Sequence, residues 1–230
     1  MRPQHQLLVI VAAGALTLGF SPAWAATTID NFIQPNKIET ADSGSSVDDL
    51  QTDPEALGNE RRVELSSPAG FAAVGIPSTG GVMQHINGPG VKSTLDLTYD
   101  NFTDEDLTAG GAQSFRALFS IVQGEGTLQM EVSDGQDSDT SEFKSITGNN
   151  DRGIERFFPF SEFDSSVDLT SVDSIGFQID TTGTSGTGSS DFAIDTLETS
   201  TVVPEPASLA LLAMGGGLML MRSGRNRRCG

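Results

Sequence analysis

Few residues in this sequence have the chemistry that catalysis needs. His85 is the only histidine after residue 25, and no G-x-S-x-G segment places a serine in the turn that a Ser-His-Asp site uses. No spacing of histidines and cysteines is typical of a zinc site. Carboxylates are so numerous that no single pair stands out as the acid and base of a glycosidase. The sequence therefore predicts a protein that is not an enzyme and that needs no cofactor.

Calcium is the one metal that the side chains favour, because hard cations prefer carboxylate and carbonyl oxygens. Asp30 and Asp195 lie in the first and last strands predicted below, and such strands lie close together in many β-sandwiches. We therefore predict a structural calcium ion shared by Asp30 and Asp195, with ordinary solvated carboxylates as the alternative. The acidic segment 134–139 looks like a calcium loop but lacks the spacing of an EF-hand.

Aromatic residues argue against a stacking platform for sugars. Sugar-binding surfaces usually expose Trp or Tyr, which pair an apolar ring with a polar tip. Trp24 is the only tryptophan and lies near the N-terminus, Tyr99 is the only tyrosine, and most phenylalanines occupy alternating positions typical of a core. Carbohydrate binding is therefore an alternative interpretation, behind a non-enzymatic role in the cell envelope, and a polysaccharide-modifying enzyme is a third.

The charge of the central region excludes nucleic acid as a partner. Between residues 26 and 203 there are 8 basic and 30 acidic residues, which gives a net charge of about −22. No basic patch is available to neutralise phosphates. The one cysteine, Cys229, is the penultimate residue, so the central region contains no disulfide and no thiolate metal site.

Short runs of β-branched and aromatic residues separated by turn signals predict an all-β domain. The clearest alternation is in the segments 91–99, 127–132 and 173–180, and a nearly continuous apolar run covers 115–122. We expect a turn at Gly124–Gly126, a long polar loop over 36–59 and an acidic loop over 134–140. The remaining candidate strands are 27–33, 61–65, 71–74, 82–86, 141–147, 154–160 and 191–198. About eight to ten short strands favour a β-sandwich.

The C-terminal half of this domain resembles galactose-binding-like jelly-roll modules. The matching segments are 157–163, 168–177 and 192–197, which are similar to the last three strands of such modules, and 29–32, which is similar to their first strand. The resemblance implies a jelly-roll-like β-sandwich. It implies sugar binding only as an expectation, because one fold supports many functions.

The N-terminal segment has the order of a secretion signal. Arg2 is followed by an apolar run over 7–20, and small residues at Ala23 and Ala25 form a cleavage site. We predict cleavage after Ala25. The alternative is a retained membrane anchor, for which the apolar run is short.

The C-terminal segment has three parts in a fixed order. Pro204, Glu205 and Pro206 precede an apolar run over 207–221, which spans about 22 Å as a helix. The run is followed by the basic residues Arg222, Arg225, Arg227 and Arg228. Arginines past an apolar helix are retained on the cytoplasmic side, so the domain is expected outside the cytoplasm.

This tail resembles the PEP-CTERM protein-sorting signal, on the residues Val203–Ser208, the apolar run and the arginine cluster. The resemblance implies that a membrane enzyme, exosortase, recognises and cleaves the tail, and that the protein belongs to the envelope or extracellular matrix of a Gram-negative bacterium. A plain tail anchor is the alternative. The expected organisation is a signal peptide over 1–25, a β-sandwich over 26–200 and a sorting tail over 201–230. The expected partners are exosortase, the membrane through the C-terminal helix, and extracellular polysaccharide.

Overall fold

The computed structural model describes residues 26–33, 37–77 and 81–202. Regular structure in these ranges is almost entirely β-strand, as predicted, with short 3-10 turns as the only helical elements. The described residues form thirteen strands, against the eight to ten expected. They are β1 (Thr28–Asp30), β2 (Ile38–Ala41), β3 (Ser45–Thr52), β4 (Glu60–Ala69), β5 (Ala72–Gly75), β6 (Met83–Asn87), β7 (Lys92–Tyr99), β8 (Ser114–Ser133), β9 (Ser138–Thr140), β10 (Lys144–Asp151), β11 (Ile154–Pro159), β12 (Ser174–Asp180) and β13 (Asp191–Ser200).

The strands form the two layers of a jelly-roll-like β-sandwich, which confirms the predicted fold class. Layer 1 has the order β2-β5-β6-β13-β8-β11, with β1 beside the C-terminal half of β13. Layer 2 has the order β3-β4-β7-β12-β8, with β9 on the far side of β8. Strand β10 pairs with β8 across the bend between the two layers. All pairings between these strands are antiparallel.

Strand β8 belongs to both layers because it bends in its middle. Residues up to Gln123 pair with β13 in layer 1, and residues from Thr127 onward pair with β12 in layer 2. Gly124 lies at the bend with φ +86°, a conformation that other residues adopt only with strain. The predicted turn at Gly124–Gly126 was therefore wrong: glycine here bends one continuous strand and does not separate two.

The hydrophobic core lies between the layers. It forms because inward and outward residues alternate along the interior strands. In β7 and β12 every second residue is buried, which confirms the alternating patterns seen in the sequence. Phe158 of β11 meets Phe177 of β12 edge to face across the core, with ring centroids 6.3 Å apart. Burying a side chain of this kind stabilises the fold by about 1.5–3 kcal/mol.

Two predicted loops contain strands. The segment 36–59 was predicted as one long loop, but it contains β2 and β3, and β9 lies within the predicted acidic loop 134–140. Strands β2 and β3 are at the edges of their layers, where one side of the strand has no partner strand. Apart from Leu50, which is 53% exposed, the outward positions of β3 are polar or charged, and its buried Gln51 is polar, so the sequence lacks the apolar alternation of a central strand.

Both ends of the described domain lie at the same end of the sandwich. The Thr27 amide donates to Thr199 Oγ1 at 2.9 Å, and the Thr199 amide donates to the Thr27 carbonyl at 2.9 Å. The Ser114 hydroxyl donates to the Val202 carbonyl at 2.6 Å, just beyond β13. The core residues run from Ile29 to Leu197, and we therefore expect residues 26–202 to fold on their own.

Candidate functional site

The predicted targeting residues cannot be placed in the fold. The cleavage residues Ala23 and Ala25 lie outside the described residues. The same holds for the sorting motif and the basic cluster, namely Pro204, Glu205, Pro206, Arg222, Arg225, Arg227 and Arg228. In the part of the chain that the structure describes, no helix is long and apolar enough to cross a membrane.

His85 is buried completely between the layers and makes a hydrogen bond to a serine. Its Nε2 lies 2.7 Å from Ser93 Oγ, and that hydroxyl donates its proton to Asn87 Oδ1 at 2.6 Å. Because the serine proton is directed to Asn87, His85 Nε2 is the donor in the first bond. His85 therefore does not withdraw a proton from Ser93, and this pair is not a nucleophile with its base.

The environment of His85 keeps the imidazole neutral. Both His85 and Ser93 are fully inaccessible to solvent, and the imidazole ring stacks against Phe192 with centroids 6.1 Å apart. Burial lowers the pKa of His85 to about 4. His85 Nδ1 has no hydrogen-bond partner among the described residues. The serine, the histidine and Asn87 form a neutral cluster that joins β6 of layer 1 to β7 of layer 2, and Thr181 completes it.

Asp30 is part of a second buried cluster, and this one is charged. Its Oδ2 accepts hydrogen bonds from Arg61 Nη1 and from the Tyr99 hydroxyl, the latter at 2.9 Å. Its Oδ1 accepts from the Phe32 amide at 2.7 Å. Arg61 also pairs with Asp53 through Nη2 at 3.1 Å, and none of the side chains of Asp30, Arg61 and Asp53 is exposed. A guanidinium thus lies between two buried carboxylates.

Burial and pairing act in opposite directions on this charged cluster. Burial raises the pKa of the Asp30 carboxyl, although Arg61, the Phe32 amide and Tyr99 all favour its charged form. Burial likewise raises the pKa of Tyr99 well above its ordinary value, so the phenol stays protonated and donates to Asp30. The Arg61 guanidinium also lies over the Phe32 ring, 5.4 Å from its centroid. Together these contacts tie β1 of layer 1 to β4 and β7 of layer 2.

The predicted neighbourhood of Asp30 and Asp195 exists, since β1 pairs with β13. In register, however, Asp30 faces Leu197, two residues beyond Asp195. No group of three or more His, Cys, Asp or Glu side chains within residues 26–33, 37–77 and 81–202 is arranged to hold a metal ion. A calcium ion shared by Asp30 and Asp195 stays a prediction.

The outward side of layer 2 carries a row of carboxylates and amides, which we call the polar face. Glu64 of β4 faces Asp96 of β7, Asp96 faces Gln178 of β12, and Gln178 faces Gln129 of β8. These residues alternate with the buried core positions of the same strands. At about 4.8 Å between strands, the row extends about 14 Å across the sheet.

Hydrogen bonds hold the amides of the polar face in fixed orientations. Gln178 Nε2 donates to Asp96 Oδ1 at 2.7 Å, and Gln129 Nε2 donates to the Ser141 carbonyl at 3.0 Å. Each amide oxygen is left as an acceptor. Partial burial raises the pKa of Asp96, and the charges of neighbouring carboxylates add to the increase, although the bond from Gln178 opposes it.

A shallow depression of about 70 Å³ lies beside this row. Gly176 of β12 forms part of its lining and faces Thr98 on one side and Glu131 on the other. Gly176 has no side chain, and the Glu131 side chain packs over it, with Oε2 3.5 Å from the position that a Cβ at Gly176 would take. Carboxylate, hydroxyl and amide groups line the depression.

Phe143 lies at the edge of the polar face and is 61% exposed. It directly precedes β10 and lies in the short segment between the β9 pair Thr140–Glu131 and the first β10 pair Lys144–Leu128, so this segment runs beside Gln129 and Met130 of β8. No other aromatic side chain in the described ranges is as exposed. An exposed apolar ring is therefore carried by the segment that runs next to the row of hydrogen-bonding groups.

The sequence interpretation missed Phe143, although a signal was present. Most phenylalanines were assigned to the core, and those in the interior strands are indeed buried. Ile146 is buried on β10, so alternation puts residues 143 and 145 on the outward side. The phase of Phe143 relative to Ile146 therefore distinguishes it from the core phenylalanines.

No protein-family model and no curated protein matches the chain. Several solved structures do match. One is the family 11 carbohydrate-binding module of a cellulosomal cellulase of Clostridium thermocellum, with 14% identity and a TM-score of 0.41 over 80% of this chain and 98% of that one. The same module in complex with a β-1,3-1,4-mixed-linked tetrasaccharide matches with 12% identity and a TM-score of 0.38, over 78% and 98% of the two chains.

A family 29 carbohydrate-binding module also matches, with 16% identity and a TM-score of 0.38 over 80% of this chain and 97% of that one. Identities and TM-scores this low do not assign a family or a ligand to this chain.

Proposed function

We propose that this chain is an exported, non-enzymatic envelope protein whose β-sandwich binds a neutral polysaccharide on its polar face. The observation that carries the proposal is the exposed ring of Phe143 beside the ordered row of Asp96, Gln178 and Gln129. Carbohydrate binding, the alternative interpretation of the sequence, therefore becomes part of the main proposal.

The chemistry of the face suits the hydroxyl groups of sugars. A hydroxyl donates to a carboxylate or to an amide oxygen, and both types are held in place here before any ligand arrives. Preorganised acceptors lose little conformational entropy on binding. The C–H side of a sugar ring can cover Phe143, because an aromatic ring packs against apolar surface.

The charge of the polar face selects against acidic polymers. Asp96, Glu64 and Glu131 lie close together, and Arg62 is already paired with Asp48 at 2.9 Å. An anionic polysaccharide would meet like charges, which is unfavourable. The proposed ligand is therefore neutral.

The position of the chain ends supports the proposed export and sorting. Thr27 and Val202 lie at the same end of the sandwich, so a membrane segment beyond residue 202 would hold that end near the bilayer. The N-terminal and C-terminal sequence patterns supply the proposed signal peptide and sorting tail. Mass spectrometry of the mature protein tests this directly: an N-terminus at Ala26 and a C-terminus near Pro204 are expected, and intact ends would contradict the proposed route.

Titration of residues 26–202 against neutral soluble polysaccharides tests the binding proposal. Mixed-linkage β-glucan, galactomannan and dextran are suitable polymers, measured by affinity electrophoresis and calorimetry. We expect at least one to bind and Phe143→Ala to weaken that binding about tenfold or more, which corresponds to about 1.4 kcal/mol.

Phe71→Ala is the matched control, because Phe71 is 49% exposed but lies beside β5 in layer 1. It should leave binding unchanged. Asp96→Asn should also weaken binding, whereas Asp42→Asn should not, because Asp42 is an exposed carboxylate directly after β2 of layer 1. Equal losses in the Phe143 and Phe71 variants, or no binding to any of the polymers, would refute the assignment of the polar face.

A further inference from the structure

A second groove lies on the opposite side of the molecule, on the outward side of layer 1. Its volume is about 220 Å³. We infer that this groove binds a single neutral sugar ring, so that the domain has two carbohydrate sites on opposite faces. The inference goes beyond the proposed function, since the groove shares no residue with the polar face. Its lining residues are Gln84, Ile86, Ile121, Gln123, Asn150 and Asp191, with Phe192 and Ala193 below them.

The floor of this groove, which we call the Ile86 groove, is apolar. Ile86 of β6 is 42% exposed although it lies within a sheet, and Ile121 of β8 is half-buried on the other side of β13. Ala193 of β13 lies between Gln84 and Ile121 in register, and Asp191 lies two residues away from it along the same strand. The two isoleucines are thus apolar surfaces at opposite corners of the groove, and the small side chain of Ala193 keeps the floor between them low.

Amides and one carboxylate form the rim. Gln123 Nε2 donates to Ser189 Oγ at 3.3 Å, and Asp191 Oδ1 accepts from the Asn87 amide at 3.0 Å, so both side chains are held in place. The amides of Gln84 and Asn150 make no hydrogen bond to another described residue, and each offers a donor and an acceptor. Such a rim matches the mixed donors and acceptors of sugar hydroxyls.

The wall at Asn150 depends on local backbone geometry. The pairing of β10 with β8 shifts register between Asn149 and Asp151, and Asn150 at the shift has φ +61°. A Cβ at Gly148 would lie 2.6 Å from the Val122 carbonyl, so glycine allows β10 to approach β8 this closely. The bulge and the close approach together bring Asn150 to the edge of the groove.

The size and charge of the Ile86 groove indicate which ligand it can bind. Pockets for drug-sized ligands measure about 300–1,000 Å³, so this groove suits a smaller group such as one ring of a sugar chain. Asp191 is the only charged residue in its lining, and it already accepts a backbone hydrogen bond. In a domain of about −22 charge, this surface accepts a neutral polymer without repulsion.

Two sites on opposite layers have a functional consequence. One polysaccharide chain bound to the polar face and a second chain bound in the Ile86 groove would be joined by a single domain. The domain would then cross-link polymer chains, and two weak contacts would gain avidity on a polymer that presents many rings.

Methyl NMR on residues 26–202 tests this inference without requiring a known ligand. D-glucose, D-galactose and D-mannose are titrated in turn while the isoleucine methyl signals are followed. We expect the Ile86 and Ile121 signals to shift with at least one sugar. Ile38, 67% exposed on β2, is the internal control and should not respond. The absence of shifts at Ile86 and Ile121 with all three sugars would overturn the inference.

Variants separate this inference from the proposed function. The double variant Gln84→Ala/Gln123→Ala should remove the sugar-induced shifts at Ile86 and leave polymer binding through Phe143 in place. Phe143→Ala should weaken polymer binding and leave the sugar-induced shifts at Ile86 in place. If Phe143→Ala also removes the shifts at Ile86, there is one site and the inference fails while the proposed function stands. If the Ile86 signals change with protein concentration alone, the groove is an interface between copies and the inference is wrong.

Discussion

The two layers of the sandwich are joined by two buried polar clusters of opposite character. The Asp30 cluster is charged and is held by Arg61, whereas the His85 cluster is neutral and is held by Ser93 and Asn87. Both connect a strand of layer 1 to a strand of layer 2, and both exclude water. In the first, opposite charges compensate for burial, and in the second, burial itself keeps the group uncharged. Polar groups that connect the two layers can thus be charged or neutral, and the two kinds of cluster respond differently to mutation and to pH.

Removing the cation from the charged cluster should have the largest effect. Arg61→Met leaves Asp30 and Asp53 as buried carboxylates facing each other, and breaking a buried pair in this way costs about 3–5 kcal/mol. Urea unfolding of residues 26–202 followed by circular dichroism measures it, since Trp24 is outside this range.

Arg62→Met is the matched control for that measurement. Arg62 is the next residue on β4, and its ion pair with Asp48 is on the surface. Such pairs contribute at most about 1 kcal/mol. Equal destabilisation by the two substitutions would show that burial of the Arg61 cluster is not what stabilises the layers.

Acid should act on the neutral cluster next. The pKa of His85 is about 4 in the folded state and 6.5 in the unfolded chain, so between these values only the unfolded state binds the proton. Stability from this residue is therefore complete above pH 6.5, falls as the pH drops, and is lost by pH 4. The expected loss is about 3 kcal/mol.

The comparison with His85→Gln isolates this contribution from the many carboxylates. The difference in unfolding free energy between the two proteins should change between pH 6.5 and 4 and be constant at higher pH. A constant difference across the whole range would mean that His85 is not buried in the neutral form.

Tyr99→Phe should have a smaller effect on the charged cluster. The substitution removes one of the hydrogen bonds to Asp30 Oδ2 and leaves Arg61 in place. A hydrogen bond to a charged group contributes about 1.5–3 kcal/mol. A loss of unfolding free energy as large as that of Arg61→Met would mean that the phenol, and not the guanidinium, is the main stabilising group of the cluster. Thermal melts of the two variants measured together provide the ranking.

Calcium should have the smallest effect, because Arg61 already provides a positive charge beside Asp30. Thermal melts in calcium and in chelator test the predicted ion at Asp30 and Asp195. If the melting curves in calcium and in chelator differ for the wild-type chain but coincide for Asp195→Asn, the result would support the ion. Coincident curves in the wild-type chain would contradict it and leave Arg61 as the only cation of this region.

Much of the fold was predictable because the interior strands obey a local rule. Strands β7 and β12 alternate buried and outward residues, and their sequences show the same period. Strands β2 and β3 were missed because edge strands have little apolar signal. The turn predicted at Gly124 was wrong because a glycine with positive φ occurs in turns and in bent strands alike.

The candidate sites were less predictable, because their members come from distant parts of the chain. Asp96 and Gln178 meet through strand register, which local composition does not define. Asp30 was selected from the sequence for a metal, but only the packed layers show that its partner is Arg61, 31 residues away. Phe143 differed from the core phenylalanines in its phase relative to Ile146 of the strand that follows it, β10.

By itself, the sequence determined the all-β class, the strong negative charge and the pattern of the interior strands, since these depend on composition and on a period of two residues. It also led to the predicted signal peptide and sorting tail, which rest on contiguous motifs and stay predictions. The tertiary structure alone decided which charges are buried together, which amides line one surface and which aromatic ring is exposed. These outcomes depend on long-range pairing, because strands far apart in the chain become neighbours only when the two layers close on a common core.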